Sequence, residues 1–260
     1  MPSTRTYLVT GAASGIGEAT AERLRAEGRA VIGADLAGAG ICADLATPEG
    51  RAELVARARE LTGGHLDAVI ACAGVAHFDP LTVKVNYFGA VATLEGLRPL
   101  LAEGADPRAV VVSSATAIHP HDPAIVDAAL AGDESAAAAA ASAALERGEG
   151  HLIYGSSKRA VARWVRRTAA TADWAGAGIP LNAVAPALVV TPMTEGVLAD
   201  AKTRRLMDAV LPMPLHGHAA AGQIAPLLAF LTSPENTHVT GQIVFADGGT
   251  DAVLRGEGAW

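Results

Sequence analysis

Tyr154 and Lys158 stand four residues apart in Tyr154-Gly155-Ser156-Ser157-Lys158, which puts a phenol and an ammonium on one face of a helix. An unperturbed phenol titrates near ~10 and is a poor base at neutral pH. A nearby ammonium, or a positive ring bound alongside, favours the phenolate and moves the tyrosine toward a working acid/base range. A second cluster lies near the start, where Thr10-Gly11-Ala12-Ala13-Ser14-Gly15-Ile16-Gly17 follows an apolar run and opens a helical one. Glycines allow a tight turn and close backbone approach to a pyrophosphate, while the helix start offers free N–H groups and partial positive charge. Asp35 comes 18 positions after Gly17, where a carboxylate accepts from both adenosine ribose hydroxyls and repels a 2′-phosphate. No Arg or Lys stands between Gly11 and Gly17 or directly after Asp35. The expected cofactor is therefore NAD. Asp44 is placed either to touch the adenine edge or to cap a helix.

These groups need a scaffold, and the apolar pattern supplies one. Short runs rich in Val, Ile and Ala predict strands over 7–10, 30–35, 40–43, 66–71, 108–113, 180–185 and 242–246. Helical patterns fall between them, over 15–27, 48–61, 83–101, 154–175 and 219–231. Strands apolar on both faces belong to a buried parallel sheet. The alternation implies right-handed crossovers and an α/β, doubly wound, mostly parallel seven-stranded Rossmann sheet in a single domain, 1–260. Two segments break the rhythm. Residues 115–150 separate the fifth strand from its helix and are expected to form a helical insertion, one helix built on the alanine run 136–144. Residues 187–217, punctuated by Pro192, Pro212 and Pro214, are expected to form a substrate-binding loop, since ligands bind beyond the carboxyl ends of such strands.

Composition excludes several classes. The chain carries 20 basic and 27 acidic residues, a net charge of −7, where a nucleic-acid or anionic-membrane binder needs a basic face. Cys42 and Cys72 form neither a disulfide framework nor a metal pair, and both are expected to be buried free thiols. His119, His121, His216 and His218 sit in proline- or glycine-rich loops with no ligand pattern, so no metal is expected. The start lacks the order of a signal peptide and no run spans a bilayer. A cytoplasmic protein is the expectation.

Taken together, TGAASGIG (10–17), ACAG (71–74), VNYFG (85–89), VVSSA (111–115), YGSSK (154–158) and NAVAPALVVTP (182–192) resemble the short-chain dehydrogenase/reductase family over nearly the whole chain. The resemblance implies hydride transfer between NAD(H) and a carbonyl or secondary alcohol. It casts Tyr154 as catalytic acid/base, Lys158 as its partner on the nicotinamide ribose, and Ser114 as the hydroxyl on the substrate oxygen, with Ser113 as a stand-in. Asn86 would position a relay water and Thr191 would contact the carboxamide. With the residues already named, Leu45, Cys72, Ala73, Gly74, Pro186 and Val189 complete the implied cofactor-binding set. The chain departs from the family pattern in three places. ACAG stands where NNAG is usual, Pro186-Ala187 where Pro-Gly is usual, and Ser114 and Tyr154 lie unusually far apart. That separation, with ADLATPEGR (43–51) and ADGGTDAVLR (246–255), most resembles the 3α-hydroxysteroid dehydrogenase/carbonyl reductase branch.

Apolar residues of 187–217, Met193, Leu206 and Met213 among them, would either line an adaptable pocket or pack that segment onto the body. Lys202, Arg204 and Arg205 read as a solvated face. The expected substrate is a hydrophobic, cyclic or steroid-like ketone or its alcohol. A homodimer is expected over a tetramer, because the insertion would cover a common interface. The alternatives are a 3-oxoacyl-thioester reductase, against which Asp35 argues, and a catalytically idle NAD(H)-binding regulator, against which the intact Tyr154 and Lys158 argue.

Overall fold

The apolar runs become strands because only a sheet covered on both sides can bury them. In the computed structural model, which describes residues 4–259, these are β1 (Thr6–Thr10), β2 (Ala30–Asp35), β3 (Ile41–Cys42), β4 (Ala68–Ala71), β5 (Arg108–Val112) and β6 (Leu181–Pro186). A small pair, β7 (Val189–Val190) and β8 (Ala219–Ala220), precedes the last strand, β9 (Ile243–Ala246). Met1–Ser3 and Trp260, the ends of the expected single-domain range, lie outside the described residues. Seven strands form one parallel sheet in the order β3-β2-β1-β4-β5-β6-β9. The order reverses between β1 and β4, which opens a crevice at their carboxyl ends.

The helices are α1 (Gly15–Ala26), α2 (Pro48–Thr62), α3 (Leu81–Val83), α4 (Ala90–Ala102), α5 (Pro123–Leu130), α6 (Glu134–Glu146), α7 (Leu152–Thr168), α8 (Glu195–Ala199), α9 (Ala201–Val210), α10 (Ala221–Leu231) and α11 (Thr250–Arg255). Alternate side chains of each strand serve opposite layers. Tyr7 and Val9 of β1 pack with Leu24 of α1 and Leu228 of α10. Leu8, between them, packs in the other layer with Leu54, Leu94 and Val165 of α2, α4 and α7. Among the described residues no helix is long and apolar enough to cross a membrane.

Several expectations are corrected. The helix expected over 83–101 is interrupted by a π-turn, Lys84–Gly89, a feature common at functional sites. The helix expected over 154–175 stops at Thr168. Trp174 folds back edge-on against Trp164, with ring centroids 6.2 Å apart, and burying that indole takes the chain off the helix axis. Ala219 and Ala220 form β8 instead of opening α10, and α11 was not anticipated. Cys42 is exposed, because β3 is an edge strand and this side chain faces outward. The 115–150 segment forms a 3₁₀ turn, Ala115–Ile118, followed by α5 and α6. α5 packs against α6 and α7, and Ala137, Ala141 and Ala144 give α6 a buried face of small side chains.

Candidate active site

Bare backbone is the first requirement at the end of β1. A Cβ on Gly11, which holds φ at +69°, would lie 2.9 Å from the Ala73 backbone, and one on Gly17 would lie 2.1 Å from the Gly11 carbonyl oxygen. Side chains fit neither position. The Ala71-Cys72-Ala73-Gly74 strand end is held from the neighbouring strand, where Thr10 Oγ1 accepts from the Cys72 and Ala73 N–H groups, both at 3.1 Å. Asp35, at the end of β2, accepts from Ala13 N at 2.9 Å and Leu36 N at 2.7 Å. A carboxylate has about four acceptor positions, so capacity remains for ribose hydroxyls. Asp44 accepts from Ala46 N at 2.9 Å in a tight turn. The cap of α2 is Thr47, which takes the Gly50 N–H at 3.0 Å. The capping alternative for Asp44 therefore passes to its neighbour. Together the glycine-lined turn, the helix start and Asp35 fit the pyrophosphate and ribose of a dinucleotide.

The chemistry-bearing groups converge at the ends of β5 and α7. Lys158 Nζ donates to Val112 O at 2.9 Å, and the Ser113 hydroxyl donates back to Lys158 O at 3.0 Å. Ser114 Oγ accepts from Thr116 N at 3.2 Å, capping the 3₁₀ turn. One turn beyond Gly155, Arg159 Nη1 donates to Ala117 O at 3.0 Å and secures the far side of that turn. Burial pushes the Tyr154 phenol up, and a hydrogen bond with Ser114 draws it back. Burial also pulls Lys158 down to about 8, with its ammonium 5.8 Å from the Tyr154 ring centroid. Burial thus dominates at the phenol, and Ser114, rather than the expected Lys158, is the protein group that opposes it. Cys72 is pushed up to about 12 by burial, which leaves a neutral thiol of poor reactivity.

The expected residues, Gly11, Ser14, Gly15, Ile16, Gly17, Asp35, Asp44, Leu45, Cys72, Ala73, Gly74, Ser114, Tyr154, Lys158, Pro186, Val189 and Thr191, all line one continuous cleft. Asn86 stands behind it. Its amide oxygen accepts from Val75 N at 2.8 Å, and its Nδ2 donates to Val75 O at 2.9 Å and Ser157 Oγ at 3.1 Å.

Residues 5–126 match a family described as short chain dehydrogenase, and residues 124–251 match one described as enoyl-(acyl carrier protein) reductase. Over 253 residues the chain is 36% identical to the 3-alpha-hydroxysteroid dehydrogenase/carbonyl reductase of Comamonas testosteroni, covering 95% of this chain and 97% of that one. The chain belongs to the short-chain dehydrogenase/reductase family. It is an oxidoreductase. It is also 33% identical over 261 residues to the cis-4-hydroxycyclohexanecarboxylate dehydrogenase of Sinomonas cyclohexanicum, covering 96% of this chain and 97% of the relative. Among solved structures, the 3-alpha-hydroxysteroid dehydrogenase of Pseudomonas sp. B-0831 complexed with NADH is similar at a TM-score of 0.89 and 40% identity. That match covers 97% of this chain and 99% of the other.

Some groups at the cleft are not legible from the sequence. Thr10 opens the glycine motif, but its hydroxyl tie to a segment 62 residues away is a tertiary fact. Thr194 also lines the cleft, beside Met193, for which the pocket-lining alternative holds. Thr194 Oγ1 accepts from Thr191 N at 3.1 Å and donates to Val189 O at 2.6 Å. The Thr191-Pro192-Met193-Thr194 pattern, a hydroxyl at each end of a proline-led turn, was the available signal.

Proposed function

We propose that this oxidoreductase interconverts a hydrophobic, cyclic or steroid-like ketone and its secondary alcohol, with NAD(H) as cofactor. The supporting observation is the placement of Tyr154, Lys158 and Ser114 at one end of the cleft whose other end carries the Gly11–Gly17 cradle and Asp35. The named relatives that act on ring-bearing alcohols, and the similar structure that holds NADH, point the same way.

When bound, the nicotinamide supplies or takes up the hydride. Ser114 donates a hydrogen bond to the substrate oxygen, and Tyr154 gives that oxygen its proton in reduction or removes it in oxidation. Lys158 carries positive charge beside Tyr154 and favours the phenolate as the proton leaves. Thr191 stands against the cradle, where a Cβ on Gly15 would lie 3.1 Å from its Cγ2, and orients the carboxamide end. Asn86 keeps the π-turn in register with Ser157, next to the proton path. Most of the rate enhancement is positioning and preorganised charge. Asp35 rejects a 2′-phosphate and sets NADH over NADPH.

Val189, Pro192 and Met193 form the apolar side of the cleft, which suits a hydrocarbon ring. We also read the protein as a cytoplasmic dimer. Arg163 and Arg167 of α7 bond to Asp127 and to Leu130 O of α5, at 3.4 and 2.8 Å, so the insertion occupies the outer side of α7. Light scattering giving a tetramer would contradict the dimer. The test of function is NADH and NADPH consumption across apolar ketones, cyclic and steroidal ones included, beside a 3-oxoacyl thioester. Turnover of cyclic ketones with NADH is expected. A preference for the thioester with NADPH would overturn the reading.

A further inference from the structure

Arg51 of α2 lies outside the chemistry described above, yet its guanidinium is the meeting point of three segments. Its Nε donates to Leu45 O at 2.7 Å, and its Nη2 donates to Ala46 O at 3.3 Å and Lys84 O at 3.2 Å. The first two carbonyls belong to the turn after β3 that lines the cleft. The third opens the π-turn that carries Asn86. The remaining face of the fork meets the Glu134 carboxylate through paired contacts of 2.6 and 2.9 Å, the bidentate geometry that fixes a guanidinium in one plane. Glu134 is the first residue of α6 in the insertion. The pair is shielded, with side chains 11% and 27% exposed, and the guanidinium also lies over the Phe88 ring.

This junction is tight. A Cβ on Gly89, at the end of the π-turn, would lie 3.0 Å from both Leu45 Cβ and Leu45 O, so the adenosine-side turn and the π-turn cannot move independently. Three carbonyls converge on one cation, and the cation is oriented by a carboxylate from the insertion. We propose that Arg51 is a positioning residue for the cofactor's adenosine half, and that the insertion, through Glu134, sets the shape and affinity of that half-site. The inference rests on the NAD(H) reading above. It assigns the 115–150 segment a part in cofactor binding, at the end of the cleft opposite the substrate.

The test is direct binding of NADH and of ADP-ribose, which carries the adenosine and pyrophosphate without the nicotinamide. Calorimetry would be run on the wild-type protein, Arg51→Met, Arg51→Lys and Glu134→Ala. Arg51→Met is expected to weaken both ligands by about 10-fold and Glu134→Ala by about 3-fold, the loss being equal for NADH and ADP-ribose. Arg51→Lys, which keeps the charge but not the fork, should fall between wild type and Arg51→Met. The ketone KM at saturating NADH should stay unchanged in Glu134→Ala. Should Arg51→Met fail to fold, Glu134→Ala carries the test, because the Glu134 side chain is the more exposed of the pair. Unchanged ADP-ribose affinity in folded Glu134→Ala would overturn the proposal, as would a loss confined to NADH or to the ketone KM. A wild-type protein that binds neither ligand would instead sink the NAD(H) reading.

Discussion

The floor of the cleft and the lobe beside it, residues 187–217 with α8 and α9, are built to different standards. Every residue of β5 and β6 is buried, and groups at their ends are tied on more than one side, as Ser114 is by Thr116 N and Pro186 O and Lys158 by Val112 O and Ser113. By contrast, α8 and α9 of the lobe bury no residue. Leu206 is 58% exposed and Met193 48%, while Lys202, Arg204 and Arg205 face solvent. The lobe is fastened mainly at its ends. Thr191 and Thr194 cap each other, Asp208 meets His218 at 2.6 Å, and Leu215 N and Pro212 O bond to Gly248 O and Thr250 Oγ1. The difference teaches where each demand is met. Proton and hydride transfer need fixed atoms, while recognition of an apolar ring tolerates a surface that adjusts.

Substitutions in the floor should therefore hurt far more than those in the lobe. The largest effect is expected from Gly17→Val. Its side chain must displace the Gly11 carbonyl, and NADH affinity should fall by roughly 100-fold or more in a titration. Wild-type affinity would remove the cradle from the account.

Lys158 gives the next effect, read as stability against pH. Burial pulls its folded-state value from 10.5 to about 8, so between those values the unfolded chain holds a proton that the folded chain has released. Stability then rises with pH across that window, and the burial cost is fully present below it. Relative to Lys158→Met, the wild-type protein should gain up to roughly 3 kcal/mol from pH 7 to 10.5. Melting curves that run parallel for the two proteins would refute this.

Asp35→Ala removes a carboxylate acceptor, and kcat/KM for NADH should drop by about 10-fold while NADPH gains ground. No shift in the NADH/NADPH ratio would break the specificity argument. The smallest change is expected from Leu206→Ser in α9, with stability within about 0.5 kcal/mol of wild type and a few-fold rise in ketone KM. A large loss of melting temperature would show that the lobe is packed like the floor.

The floor was also the more legible region. Gly11 to Gly17, Asp35 and the Tyr154–Lys158 pair carry their chemistry in local spacing, and the sheet announces itself in apolar runs. All of the expected site residues except Asn86 line the cleft, and Asn86 supports it from behind. What was not legible depends on distant partners. The tie of Thr10 to Cys72 and Ala73 crosses from β1 to the end of β4, and the setting of Arg51 depends on Glu134, 83 residues away. The end of α7 was overrun because nothing local says that Trp174 returns to Trp164. α11 lies beyond Gly248 and Gly249, whose positive φ values turn the chain after β9 and leave only a six-residue helix to detect. Of the two helices of the lobe, α8 is too short to show a period, whereas α9 does carry an amphipathic pattern through Leu206, Met207 and Val210, which the prolines at 192, 212 and 214 masked.

In the proposed function Tyr154 moves the proton while the rest of the cleft binds and orients. Tyr154→Phe, measured for NADH binding and for ketone reduction on the same preparation, separates the two roles. NADH affinity close to wild type is expected, with turnover reduced by about 10²- to 10⁴-fold. Turnover at the wild-type rate in a variant that binds NADH normally would contradict it.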